Sequence, residues 1–197
     1  MKRVFCLLFF FLLSQVAVAG GESEAEKVLK TSVNVVLSVL SDEGLTADQK
    51  KSKVVEITNT IFDYSLMARL SLGKEYWARF EPGQRDQFAD LFVKQFQDFY
   101  VDKINLINDK KVDFLPPITV DKKKVKIPTV LLSKDKKYSI LYMMFKTESG
   151  WRIYDISIEG VSILHTYRKQ YHHILASEGV EELLTEMREK QIEHEES

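Results

Sequence analysis

Residues 138–158 read YSILYMMFKTESGWRIYDISI. Tyr138 to Phe145 has the alternating parity of a strand: Ile140, Tyr142 and Met144 point one way, Leu141, Met143 and Phe145 the other. Both sets are apolar, so neither face is marked as the wet one. Glu148-Ser149-Gly150 supplies turn residues, and Trp151 to Ile158 is a second strand rich in aromatic and β-branched residues. Two such runs joined by a short polar turn form an antiparallel hairpin.

Upstream the sheet continues. Lys124-Val125-Lys126-Ile127 alternates polar and apolar, and Pro128 points to an edge or a bulge in that strand. Val112 to Leu115 is a short strand cut off by Pro116-Pro117, and Lys134 to Lys137 makes a turn.

Further out the period changes to that of helices. Leu29, Val33, Val36 and Leu40 draw one apolar stripe, broken by Ser41-Asp42-Glu43-Gly44. Thr46 with Gln49 three positions on is a capping box that opens the next helix, whose buried face is Val54, Ile57, Ile61 and Phe62. A short segment through Leu66, Met67 and Leu70 ends at Ser71-Leu72-Gly73. Pro82 then sits in the first turn of the longest helix, where its missing N–H does no harm. Phe88, Phe92, Phe96, Phe99, Tyr100, Ile104 and Ile107 run down one side of it. After the sheet, Ser162 caps a helix striped by Leu164, Tyr167, Tyr171 and Ile174, and Gly179 suits its C′ position. Val180, Leu183, Leu184 and Met187 mark a final short helix, and the charged residues after Gln191 are expected to fray. Helices, a small antiparallel sheet, then helices make an α+β fold in one domain.

The N-terminus has the three parts of a secretory signal: basic Lys2 and Arg3, an apolar run from Val4 to Leu13, and the small residues Ala17-Val18-Ala19. Ser14 and Gln15 interrupt the run well short of the roughly 20 residues of a membrane span. The expectation is a signal peptide over residues 1–19, cleaved near Ala19, and a mature domain over 20–197 with its core at about 28–190. The chain's one cysteine, Cys6, falls in that segment, so the mature domain has neither disulfides nor a thiolate ligand or nucleophile. Loss of Lys2 and Arg3 leaves 26 basic against 29 acidic residues, a net charge of −3, which points away from nucleic acid.

Catalytic constellations are thin. His172 and His173 diverge by about 100° on a helix, and His165 and His172 lie about 10.5 Å apart along its axis, so neither pair shares a metal. With His194 they read as solvated helix surface. Gly160-Val161-Ser162 begins like a nucleophile elbow, but Leu164 stands where the closing glycine belongs. No glycine-rich phosphate loop can be written. Asp155, among Trp151, Ile153, Tyr154 and Ile156, is either a general base with a raised pKa or one half of an ion pair with Arg168 or Arg69. Lys122, Lys123, Lys124 and Lys126 suit an acidic partner surface, anionic lipid headgroups, or an edge strand that resists aggregation. Finally, the two-faced strand and the large side chains of Phe96, Phe99, Met143, Met144, Phe145 and Trp151 leave an apolar surplus. It is absorbed either by helices over both faces of the sheet or by a greasy cavity between sheet and helices.

Trp151-Arg152-Ile153-Tyr154-Asp155-Ile156, Glu159-Gly160-Val161-Ser162 and Tyr167-Arg168-Lys169-Gln170-Tyr171 closely resemble the C-terminal signature of the MlaC, or toluene-tolerance, family of periplasmic phospholipid carriers. Phe62-Asp63, Met67-Ala68, Leu72-Gly73, Trp77, and Gln84-Arg85 with Phe88, Phe92 and Tyr100 resemble its helical half, in the same order. The resemblance implies a helix-wrapped, strongly curved sheet with an apolar pocket, and a non-enzymatic carrier whose cargo is phospholipid, with no cofactor. Its implied partners are an outer-membrane lipoprotein–porin complex and the MCE-domain subunit of an inner-membrane ABC transporter, in service of outer-membrane lipid asymmetry. A monomer is expected. A related branch serves hopanoid metabolism, which leaves a hopanoid-type lipid as alternative cargo. Two other readings stay open: a small-molecule isomerase using Asp155, and a scaffold with a filled core. Strand parity and helix stripes nominate Phe96, Phe99, Tyr100, Leu141, Met143, Phe145, Trp151, Ile153, Ile156, Val161 and Leu164 as pocket lining. Arg69 and Arg168 are the candidates to meet a headgroup phosphate.

Overall fold

The structure, a computed structural model, describes residues 23–105, 111–133 and 136–195. Residues 1–19, the expected signal peptide, and the turn residues Lys134 and Asp135 lie outside them.

Four helices precede the sheet: α1 (Glu24–Ser41), α2 (Ala47–Ile61), α3 (Tyr64–Arg79) and α4 (Pro82–Asn105). The capping box of α2 is complete: the Gln49 N–H donates to Thr46 Oγ1 at 3.3 Å, and the Thr46 N–H to Gln49 Oε1 at 2.9 Å. Six antiparallel strands follow: β1 (Lys111–Phe114), β2 (Ile118–Asp121), β3 (Lys124–Ser133), β4 (Lys136–Thr147), β5 (Gly150–Ile158) and β6 (Val161–Ser162). Their order is β1-β3-β4-β5-β6, with β2 also on β3, so β1 and β2 share one edge on either side of Pro116-Pro117. The chain closes with α5 (Ile163–Ser177) and α6 (Val180–Glu195). α6 is longer than its apolar stripe suggested and runs past Gln191. Gly179, at φ 94°, turns the chain between α5 and α6 while its N–H reaches the Ile174 carbonyl at 3.2 Å.

Helices α1, α2, α3 and α5 meet the sheet mainly at β5, and α4 packs behind them against α3 and α6. One face of the sheet is therefore inner, and it carries Val125, Ile127, Tyr142, Met144, Ile153 and Ile156, all buried. Ile153 and Ile156 are three apart and would face opposite ways in a regular strand. Met143 pairs with Asp155 and Met144 with Ile153, so Tyr154 is the extra residue of a bulge that turns both isoleucines inward. At the helix layer's heart Phe88, Phe92 and Phe96 are fully buried, with Phe88 edge-on to Tyr171 and Phe92 edge-on to Tyr167 of α5.

Candidate functional site

Two separate hydrophobic clusters form. The main one spans sheet and helices; the smaller joins Val36 of α1 to Val54 of α2, with Leu40 and Ile57 packed on it. α1 and α2 pack on each other far more than on the sheet. Between this helical hairpin and the inner face of the sheet lies a partly open cavity of about 700 Å³. That is well inside the ~300–1,000 Å³ range of small-molecule sites.

α1 supplies one wall through Leu29, Ser32, Val33, Val36, Leu37 and Leu40, a face about 16 Å long at 1.5 Å per residue. Ile140 and Tyr142 of β4 with Ile153, Ile156 and Ile158 of β5 form the opposite wall. Phe99 (41% exposed), Val161 (59%), Thr166 and Gln170 stand at the rim. Among the described residues, no lysine, arginine, histidine, aspartate or glutamate is in the lining. The polar groups that do face it are neutral: Ser32, Thr58, Gln95, Thr166, Gln170 and the hydroxyls of Tyr138, Tyr142 and Tyr167. Gln95 Oε1 already accepts from the Tyr171 hydroxyl at 2.8 Å. Burial, with a smaller push from the Asp98 charge, raises the Tyr167 phenol to about 12, so it stays protonated across the physiological range. Such a space can solvate an apolar body.

Of the nominated lining residues, the structure brings Phe99, Ile153, Ile156 and Val161 to this cavity. Leu141, Met143 and Phe145 are half-buried on the outer face, where Phe145 packs edge-on to Tyr154 at 5.9 Å. Phe96 and Leu164 are buried in the core beside the cavity without lining it. Trp151 donates its Nε1 hydrogen to Glu24 of α1 at 3.2 Å and does not line the cavity. The side chain of Tyr100 lies outside the described residues. The α1 wall was legible as an apolar stripe, but nothing in the stripe distinguishes packing on a sheet from standing off it.

Asp155 is 7% exposed and not part of the cavity. Its Oδ2 accepts from Ser162 Oγ at 2.6 Å and its Oδ1 from the Leu164 N–H at 3.3 Å, while Ser162 Oγ accepts from the His165 N–H at 3.0 Å. Carboxylate and hydroxyl together satisfy the first turn of α5. Burial raises the Asp155 pKa; those hydrogen bonds and the more distant Arg168 charge pull it back. The pairing is thus with a helix end and not a salt bridge to arginine. Arg168 instead donates two hydrogens to the Leu70 carbonyl, from Nε at 3.1 Å and from a terminal nitrogen. One turn on, His172 Nε2 bonds the Leu72 carbonyl at 2.7 Å and its ring lies 4.4 Å from that of Tyr76, so His172 is latched to α3 and is not free surface. Arg69 is exposed on α3. Among the described residues the grouping able to hold a metal is Glu178, Glu182 and Glu186, a mostly exposed acidic face that is not part of the cavity's lining.

The family model described as MlaC protein matches residues 30–189. The chain belongs to the MlaC family. A solved structure described as the phospholipid-binding protein from Ralstonia solanacearum, in complex with a phospholipid, superposes with a TM-score of 0.78 at 22% identity. The match covers 87% of this chain and 99% of that one, and at that identity it establishes the fold. No protein with a curated description matches. In this MlaC-family chain, the residues that carry the sequence resemblance mostly build the frame around the cavity. Asp63 caps α3 through Leu66 and its N–H joins β5 at the Ile153 carbonyl; Arg85 Nε bonds the Trp77 carbonyl at 3.1 Å; Arg168 holds α3.

Proposed function

We propose that this protein is a periplasmic phospholipid carrier that shuttles lipid between an outer-membrane lipoprotein–porin complex and an inner-membrane ABC transporter with an MCE-domain subunit, acting without catalysis or cofactor. The observation that carries this reading is the uncharged cavity of about 700 Å³ held between the α1–α2 hairpin and the sheet. Family membership supports it, and so does the phospholipid in the Ralstonia solanacearum protein of the same fold. At about 30 Å³ per group, the share of one water in the liquid, the cavity takes on the order of two dozen groups of methylene size, more than one long acyl chain. Each is worth about 0.8 kcal/mol against water. A bilayer offers nearly the same, so the exchange is close to balanced and the partners set its direction. With no cation in the lining, the headgroup stays at the rim near Thr166 and Gln170.

Export by a signal over residues 1–19 belongs to the same reading. Mass spectrometry on protein purified from the periplasm tests both. An organic extract is expected to contain diacyl phospholipid, and the intact mass to lack the first 19 residues. A hopanoid in the extract would change the cargo and keep the carrier. A small polar metabolite or no ligand at all would sink the reading. Asp155 lies outside the cavity, so the geometry gives the isomerase alternative no support.

A further inference from the structure

The β2–β3 hairpin is unlike the rest of the surface. Leu115, Ile118 and Val120 are 43%, 54% and 52% exposed, three of the large apolar side chains left in solvent among the described residues. They lead directly into Lys122, Lys123 and Lys124, all exposed, and Lys126. None of these four lysines has an ion-pair partner among the described residues. The hairpin's acid, Asp121, is spent on its own turn, accepting from the Lys123 N–H at 2.7 Å. Ile118 also shares a face with Lys124 and Lys126. Ile118 pairs with Lys126, which pairs with Met143, so they lie on the outer surface of the sheet with Leu141 and Phe145.

We infer that this hairpin is a peripheral membrane contact whose ligand is a bilayer surface bearing anionic phospholipid. Lysines beside aliphatic side chains match the two layers they would meet: headgroup phosphates for the ammonium groups, and the headgroup–acyl boundary for Ile118 and Val120. Protein hot spots draw instead on Trp, Tyr and Arg set in pockets, and the hairpin has none of the three. The contact stands at the opposite end of β3 from the stretch that lines the cavity. Leu131, on the cavity wall, is seven residues along β3 from Lys124, about 23 Å at 3.3 Å per residue. None of Lys122, Lys123, Lys124, Ile118 and Val120 lines the cavity, so the contact is separable from what fills it.

The test is flotation of the purified protein with phosphatidylcholine vesicles, with and without phosphatidylglycerol. Co-flotation is expected only with phosphatidylglycerol, and it should vanish at about 1 M salt, where the screening length falls to about 3 Å. Reversing Lys122→Glu, Lys123→Glu and Lys124→Glu together should lower the bound fraction tenfold or more, at roughly fivefold per lysine. Ile118→Ser with Val120→Ser should weaken binding several-fold. Both variants should keep the wild-type melting temperature and lipid content, which separates this contact from the cavity. If the triple reversal does not fold, the exposed single change Lys123→Ala replaces it, with a few-fold loss expected. Equal binding to pure phosphatidylcholine, indifference to the variants, or no flotation would overturn the inference; the last includes a hairpin that takes only an acidic protein.

Discussion

Ile140 and Leu141 are neighbours on β4 and face opposite ways: Ile140 lines the cavity, while Leu141 is half-buried on the outer surface. A glutamate at 140 would put a carboxylate against a lining with no cation to pair it, a cost of at least about 2–3 kcal/mol to an apolar ligand, or thirty-fold or more in affinity. At 141 the same carboxylate can reach water. Ile140→Glu is therefore expected to lose co-purifying lipid while Leu141→Glu keeps it, both read by mass spectrometry against protein concentration. Equal lipid content in the two folded variants would remove the inner face of the sheet from the binding site. This pair marks where sequence reading stops. Parity correctly sorted Ile140, Tyr142 and Met144 from Leu141, Met143 and Phe145, because side chains alternate on any strand. Which set faces the cavity was invisible, since both are apolar and the choice is made by which side the helices occupy. The bulge at Tyr154 was also invisible, and it is what lets Ile153 and Ile156 share a wall.

Among elements, α3 depends most on a single residue. Gly73 has φ 75° and ψ 166°, a region open essentially to glycine, and it breaks α3 into two pieces. α5 locks the break by bonding the carbonyls released there, Arg168 to Leu70 and His172 to Leu72. A Cβ at Gly73 would meet nothing nearer than Arg168 Nε at 3.8 Å, so Gly73→Ala costs through backbone strain and not through collision. The expected loss is about 1–3 kcal/mol. At roughly 2–4 °C per kcal/mol for a chain this size, the melting temperature should fall by several degrees. An unchanged melt would mean that the kink relaxes freely. Leu72-Gly73 was readable as a helix stop, yet the helix resumes, because the stop is a kink stabilised from α5 nearly a hundred residues away. β2 escaped notice for a related reason: Ile118-Thr119-Val120 follows two prolines and becomes a strand only by pairing with β3. Capping residues were the most legible features. Thr46, Ser162 and Gly179 act within a few residues of themselves, so no distant contact can overrule them.

At the scale of the whole molecule, the hydrophobic clusters stay two because Val36 and Leu40 of α1 close on Val54 and Ile57 of α2, while Ala25, Leu29 and Ile61 are the buried residues of the two helices that reach the main core with β5. A chain of this size has enough apolar residues to build one continuous core, and the gap forgoes the contacts that closing it would give. The folded protein is consequently below its attainable stability when empty, and anything that fills the gap in the folded state alone adds RT ln(1 + [L]/Kd). With lipid at a hundredfold excess over its dissociation constant that is about 2.7 kcal/mol, or some 5–11 °C in melting temperature at this length. Stripping lipid with a detergent that is then removed should lower the melting temperature by that amount, and returning diacyl phospholipid should restore it. A soluble short-chain alcohol, too small to bridge the α1 wall and the sheet, should not. If stripped and loaded protein melt together, the space collapses when empty, and α1 and α2 must then close onto the sheet. Closure would bury Ile140 and Tyr138 further and should slow hydrogen exchange along β4 in the stripped protein, so the same two samples distinguish a rigid hollow from one that opens around its cargo.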